Sequence, residues 1–561
     1  MEGKNSMNAV TQTGEADWDY IIVGAGSAGC AMAARLSAAG KRILLLEAGT
    51  EDRGRWLRIP LGLGKIIRDE RYVWMFETEP EAATKNRRMF WPRGKLLGGS
   101  SSVNGMIWAT GEPAKYDEWE AAGCQGWGWS AMEPIIRASE SYSKRDAPNR
   151  GHGGPIAVEE LGDKHRMTDA FIDACVSVGI PFTPDYNGRQ TEGVGRLQLS
   201  TRRGVRCSTA EGYLRPALMR PNLRVETGAL VQRVVFEATR AVGVEYEHQG
   251  QRRMARSRFD VILAAGAIQS PQLLELSGIG DQQRLRDLSI PVVMDLPGVG
   301  ENLSDHYHIR MTFKARDTVT VNDLLRLPWW HGPRGWLEYQ ALGTGIFANA
   351  TATAHALART HEGATFPDMK LQLHTISSAD RTAETKGLGV DPYCGASIGF
   401  FQLYPESRGS VHITSIDPTA PPRIFANYLG AAADRAAVIR GQRLARKIAA
   451  IPRLHHFLSE ETRPGPEAVD DEALLDYARR EGQTSYHPVG TCRMGNTPDC
   501  VVDAECRVRG VSGLRVADAS VMPFIVSSNT NAPSIAVGEK VARDLLAQSN
   551  EVTQLASNEA A

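Results

Sequence analysis

The chain has 561 residues, length for two or three ordinary domains, and its 42% hydrophobic and 23% charged composition excludes a disordered or fibrous chain. A net charge of −1 supplies no long-range pull toward nucleic acid or anionic lipid, so no nucleic-acid partner is expected. Eight cysteines without a CxxC suggest neither a zinc site nor a redox dithiol; no stretch reaches the ~20 apolar residues of a membrane span, and the opening lacks a signal-peptide core, which together predict a cytoplasmic protein.

Residues 1–16 are polar and predict a flexible start. The run WDYIIV from Trp18 then predicts a strand buried in a parallel sheet. Gly24, Gly26 and Gly29 follow in GAGSAG, with Ser27 between them, and the helix CAMAARLSAAG comes next. The first glycine permits a tight turn, the second lets backbone approach a pyrophosphate, and the third allows close packing of the helix. Free N–H groups at that helix start make an anion site. A second strand, KRILLLEAG, delivers Glu47, a carboxylate at the distance that accepts both ribose hydroxyls. The unit reads as a site for the adenosine diphosphate half of FAD or NAD.

The next segment is loop-like, with an aromatic cluster at Tyr72, Trp74 and Phe76, and ends in WPRGKLLGGSSSVNGMIWATG. Gly98, Gly99 and Ser100 suit a backbone that lies against a flat ring and hydrogen-bonds its polar edge, and Asn104 adds an amide. The same run also reads as a tight connection. Residues 222–247 alternate like a small β-meander, and 259–280 read as strand, Ala-Gly turn and helix.

At this point the sequence resembles the glucose-methanol-choline (GMC) family of flavin oxidoreductases over nearly its whole length. Gly94 to Asp117, centred on GKLLGGSSSVN, is similar to the family's first signature, and GAIQSPQLLELSGIG from Gly266 to its second. The resemblance implies FAD rather than NAD. It implies an α/β fold: a doubly wound, Rossmann-like FAD domain from discontinuous segments (17–158, 196–306 and 486–548) and an α+β substrate domain with an antiparallel sheet (159–195 and 307–485). It also places Val231 and Ala265 against the cofactor. Some members bind flavin covalently through a histidine just before the asparagine of the first motif; Val103 stands there, so non-covalent FAD is expected.

In the substrate portion, Leu324 to Gly345 reads as a helix-turn in preference to a lid or a peripheral membrane contact. MKLQLHTI and ASIGFFQLYPESRGSVHITS predict strands of one sheet, with His374 and His412 as ordinary strand residues. His306 and His308 lack the carboxylate or cysteine companions of a metal site, and no metal is expected.

The C-terminal part carries the chemistry. His487 precedes Pro488, which favours extended backbone and fixes the imidazole's direction. Gly513 to Leu546 reads as a strand, an acidic turn at Asp518, and a helix opening at Pro533, with Gly538 permitting close packing; the polar tail from Ser549 predicts a frayed end. By resemblance, His487 and Asn531 are the active-site pair, and Asp518, Ala519 and the helix start at Pro533 contact the cofactor. The implied activity is oxidation of a small, primary alcohol to an aldehyde, with His487 as base, hydride passing to flavin N5, and oxygen or a quinone as acceptor. The alternative is a flavin-dependent lyase or decarboxylase on the same fold.

Overall fold

The computed structural model describes residues 11–12, 18–162, 165–325, 331–349, 351–378 and 389–559. Strand β1 (Trp18–Val23), helix α1 (Ser27–Ala38) and strand β2 (Ile43–Glu47) form the expected β-α-β unit. Helix α2 (Arg166–Ser177) and strand β3 (Gly193–Arg196) follow in chain order. The chain then supplies β4 (Leu223–Thr227), β5 (Ala229–Glu237), β6 (Arg240–His248), β7 (Gln251–Leu263) and helix α3 (Gly266–Leu276). Next come β8 (Tyr307–Ala315), β9 (Ala352–Ala358), β10 (Met369–His374), β11 (Gly395–Gln402), helix α4 (Ala432–Ala449) and β12 (Leu458–Arg463). The chain closes with β13 (Leu514–Val516) and helix α5 (Asn531–Glu559).

The first sheet runs β4-β2-β1-β7-β6-β5, with β13 also paired to β7. β1, β2, β4, β13 and the later half of β7 are parallel, and β1 and β2 are nearly continuous apolar runs because both of their faces are buried, α1 packing against them and β5 against β2. β7 is long enough to serve two roles. Its first half pairs antiparallel with β6, and from Ser257 it joins the parallel sheet beside β1. The meander is therefore β5-β6-β7, and Leu223–Thr227 belongs to the parallel part beside β2, a correction to the sequence reading. Leu223 and Glu226 on that strand are buried, and Val225 is partly buried against the first core.

The second sheet runs β12-β8-β11-β10-β9-β3 and is antiparallel throughout. On β10, Met369, Leu371 and Leu373 enter the core that α2 and α4 complete, while the period-two strand geometry sends Lys370, Gln372 and His374 to the opposite face. Ser410–His412 was expected in this sheet but pairs instead with Arg423–Phe425 in a separate hairpin. The Tyr72 to Phe76 stretch is also more ordered than expected, because Val73–Glu77 pairs antiparallel with Phe90–Gly94.

Two termini differ from expectation. Thr11 and Gln12 pair in parallel with Arg253 and Met254, so this part of the segment 1–16 is a strand; the rest lies outside the described residues. Helix α5 continues to Glu559, since nothing between Ser549 and Glu559 is a glycine or proline that would stop it. Residues 321–324 and 331–342 form two short helices, in keeping with the helix-turn reading, while 326–330 lie outside the described residues. Helices α1 and α5 pack closely at Gly538, where a Cβ would lie 2.7 Å from the Cα of Ala28.

Candidate active site

A cleft runs across the ends of the parallel strands. Gly24, Gly26, Ser27 and Glu47 line one part of it, and Val231, Ala265, Asp518, Ala519 and Ser534 line the other. The glycine spacing has the steric causes expected of it. Gly24 has φ +102°, and a Cβ there would sit 2.6 Å from the carbonyl oxygen of Ala264; at Gly29 it would sit 2.0 Å from the oxygen of Gly24. At Gly26 the nearest atom is 3.9 Å away, so this glycine leaves room on the cleft side rather than in the fold. Gly99 comes so close to Gly26 that a Cβ would lie 2.8 Å from its Cα, which places the two glycine loops in contact beneath the cleft.

Glu47 is buried, with Oε2 accepting from Ala25 N and Oε1 from Gly49 N, both at 2.9 Å. Burial pushes its carboxyl up to about 7 despite those two amides. Asp518 ties the end of β13 to the start of α3: its Oδ2 accepts from Gly266 N at 2.8 Å and from Ser270 Oγ at 2.5 Å. A floor of bare backbone, an acid at one end and a helix start at the other fit a dinucleotide, which answers the expectation from the sequence.

Two residues of the first motif are occupied differently from expectation. Gly98 donates to Ala25 O at 2.7 Å and serves as a connection between loops. The Asn104 Oδ1 accepts from Met106 N at 3.0 Å and from Arg206 Nη1 at 2.8 Å, so this amide braces its own loop. Arg206 is fully buried and also donates to Ser101 O and Leu57 O. Val103 sits among Leu57, Ile66, Val73 and Leu96 in an apolar cluster.

His487 lies beyond the cleft with 8% of its surface exposed. Its backbone N donates to Asp305 Oδ1 at 2.7 Å, and the other carboxylate oxygen accepts from Thr484 Oγ1 at 2.6 Å and from the Tyr428 hydroxyl. Tyr486, just before it, has φ +64°, a backbone conformation costly for a bulky residue, and Arg93 Nη1 holds its carbonyl at 2.9 Å. The imidazole meets two partners. Its Nδ1 lies 2.9 Å from His306 Nδ1, and its Nε2 lies 2.9 Å from Asn529 Nδ2.

Those contacts fix the protons. The Leu403 carbonyl can only accept, so His306 Nε2, 2.9 Å away, carries the hydrogen. Burial drives the His306 pKa down to about 3, leaving the ring neutral with a lone pair on Nδ1. His487 Nδ1 must then be the donor between the rings, and its Nε2 keeps a lone pair that accepts from the Asn529 amide. Lys370 sets that amide's direction, donating to Asn529 Oδ1 at 2.8 Å and to Ser528 Oγ at 2.7 Å. Burial first, and then His306, Lys370, Arg93 and His308, hold the His487 pKa well below its ordinary value.

The expected partner, Asn531, is elsewhere. Its Oδ1 accepts from Ser27 Oγ at 2.7 Å, because α5 begins at Asn531 itself rather than at Pro533 and turns that side chain toward the start of α1. Asn529, in the loop just ahead, reaches the ring. Sequence reasoning also passed over His306, Lys370 and Arg93. The available signal was the polar alternation Lys370, Gln372, His374 in a fully buried strand, which tells of a polar groove on that face. Among the described residues no group of three or more His, Cys, Asp or Glu side chains could hold a metal ion.

The model described as GMC oxidoreductase matches residues 18–308 in its N-terminal part and 405–538 in its C-terminal part. Among relatives, "Oxygen-dependent choline dehydrogenase" of Photobacterium profundum is 40% identical over 540 residues, 94% of this chain and 93% of that protein. "Choline dehydrogenase, mitochondrial" of Mus musculus is 38% identical over 544 residues, 95% of this chain and 90% of that protein. Pyridoxine 4-oxidase from Mesorbium loti, a crystal structure, superposes with a TM-score of 0.84 at 29% identity, covering 94% of this chain and 99% of the other. The mouse relative corrects the expectation of a cytoplasmic protein: a chain alike over almost this whole length is by name mitochondrial. Among the described residues no helix is long and apolar enough to cross a membrane.

Proposed function

The chain belongs to the GMC oxidoreductase family, FAD-dependent enzymes acting on CH–OH donors, and from that premise we propose that His487 and Asn529 together activate a primary alcohol for oxidation to its aldehyde. The observation that carries this reading is the ordered proton chain from Leu403 O through His306 to His487, which leaves the Nε2 lone pair facing Asn529. A hydroxyl that displaces the Asn529 amide from that lone pair gives its proton to Nε2 and receives the released Asn529 N–H on its oxygen. FAD held in the cleft would supply the two-electron acceptor for the carbinol hydride.

The surrounding cations divide their effect. Lys370 and Arg93 disfavour a protonated His487 in the resting site, and the same field stabilises negative charge on an alcohol oxygen that is losing its proton. General-base catalysis of this kind contributes about 10²–10⁴ in rate. The cofactor's adenosine end is assigned to Glu47, Val231 and Ala265, its pyrophosphate to the Gly24–Gly29 loop and Ser27, and its ring to Gly99, Ser100, Asp518, Ala519 and the start of α5 at Asn531 and Pro533. The apolar cluster around Val103 supports non-covalent attachment. The division into a cofactor part (17–158, 196–306, 486–548) and a substrate part (159–195, 307–485) is supported by a first core drawn wholly from the cofactor segments, while the second core also takes in Phe76, Met89, Trp91, Ile268 and Leu303.

The acceptor is oxygen or a quinone. Incubation with a panel of primary alcohols, following aldehyde together with peroxide or reduced dye, tests the whole reading. One aldehyde is expected per two-electron acceptor reduced; substrate cleavage without acceptor reduction would replace this account with a lyase.

A further inference from the structure

We propose that Lys370, Gln372 and His355 form a binding corner for a carboxylate on the substrate, so that the preferred alcohol carries an anionic group. The inference rests on the alcohol-oxidising reading above and names its substrate class. All three residues stand on the face of the second sheet opposite its apolar core. Lys370 and Gln372 are two apart on β10, and His355 on β9 is directly opposite Gln372 in register. Their exposures are 0%, 5% and 0%.

Buried donors are as a rule hydrogen-bonded within the chain, and here Gln372 and His355 are not, the His355 ring meeting only the ring of Tyr186. The Lys370 ammonium gives two of its three protons to Ser528 and Asn529, and among the described residues no carboxylate lies within ion-pair distance of it. Gln372 Nε2 has no hydrogen-bond partner there, nor has either ring nitrogen of His355. One cation and two neutral donors on adjacent strands match a carboxylate, which accepts at two oxygens and repays a buried ammonium with opposite charge. Burial pulls Lys370 down to about 7, so a pairing anion also restores the charge that burial penalises.

The corner adjoins the reacting atom. One amide separates it from the base: Lys370 Nζ is 2.8 Å from Asn529 Oδ1, and Asn529 Nδ2 is 2.9 Å from His487 Nε2. The relatives named for choline act on a cation by that name. A quaternary ammonium held two carbons from the hydroxyl would here face Lys370 and Arg93. The nearby carboxylate of Asp305 is already engaged by Thr484, Tyr428 and the backbone of His487.

The FAD-loaded enzyme should be assayed with hydroxymethylbenzoate, benzyl alcohol and choline. Hydroxymethylbenzoate is expected to exceed benzyl alcohol in kcat/KM by roughly tenfold or more, with choline lowest. Lys370→Met also disturbs Asn529, so the readout is the ratio of anionic to neutral substrate, in which a shared loss cancels. That ratio should fall by roughly tenfold, and Gln372→Leu, which leaves Asn529 untouched, should lower it in the same direction. Benzoate titrated against the flavin spectrum gives an affinity free of turnover, expected to weaken in both variants. A parent ratio near unity, choline as best substrate, or a ratio and benzoate affinity unchanged in Gln372→Leu would overturn the inference while leaving alcohol oxidation standing. If none of the three alcohols reduces the flavin, the proposed function falls and this inference with it.

Discussion

His487 is prepared for its role by where its neighbours' protons lie. A lone histidine has two tautomers of similar energy; here the Leu403 carbonyl selects one in His306, and His306 in turn selects one in His487. The lowered pKa has a definite sign in activity. An imidazole held below its ordinary value stays unprotonated as pH falls through 6.5, so kcat/KM should not drop as pH falls from 7 to well below 6.5, and should decline only under that. A half-maximal point near 6.5 would show that burial and the adjacent cations do not act on it. The two asparagines separate cleanly. Asn529→Ala should slow flavin reduction by about tenfold or more with cofactor retained, whereas Asn531→Ala, which loses the Ser27 contact, should loosen FAD instead; stopped-flow reduction and flavin content measure the two. His487 was put forward because His-Pro sits in a recognisable context, and its role as base is the proposal made above. Asn529 was not: in SSNTN both amides are candidates, and only the residue at which α5 starts decides which reaches the ring.

At the scale of elements, the glycine loop shows which parts of a motif serve the fold and which serve the ligand. A methyl at Gly29 collides with the Gly24 carbonyl, whereas one at Gly26 meets nothing in the chain closer than 3.9 Å. Gly26→Ala should therefore fold with a near-parental Tm in the absence of FAD and bind the cofactor poorly, while Gly29→Ala should lose both stability and cofactor. Thermal melts and flavin-to-protein absorbance ratios distinguish them. The β-α-β start was readable because strands buried on both faces are written as continuous apolar runs. The second sheet was half readable. Its core-facing residues alternate as expected, yet the polar residues between them are buried and not in water, a distinction that alternation alone does not carry. The β4 misassignment has the same origin, since a short edge of a parallel sheet and a meander strand share one pattern.

Across the molecule there are two main apolar cores, and His487 and Asn529 sit against the second sheet, where Phe401 and Lys370 meet them. Such a cofactor contributes stability by mass action, so apo protein should melt lower than holoprotein, and denaturation should release all the FAD into solution; yellow colour retained on the polypeptide would contradict the reading of Val103. The overall architecture followed from the sequence because two long motifs fix the order of its parts, whereas the compartment did not follow from a polar opening segment. The most direct test of the central claim is anaerobic mixing with a saturating primary alcohol while the visible flavin band is followed in parent and His487→Gln. The parent should bleach in a single turnover, and the variant, with cofactor bound and unshifted, should bleach about 10²–10⁴ more slowly. Equal rates in the two proteins would contradict the assignment of His487 as the base.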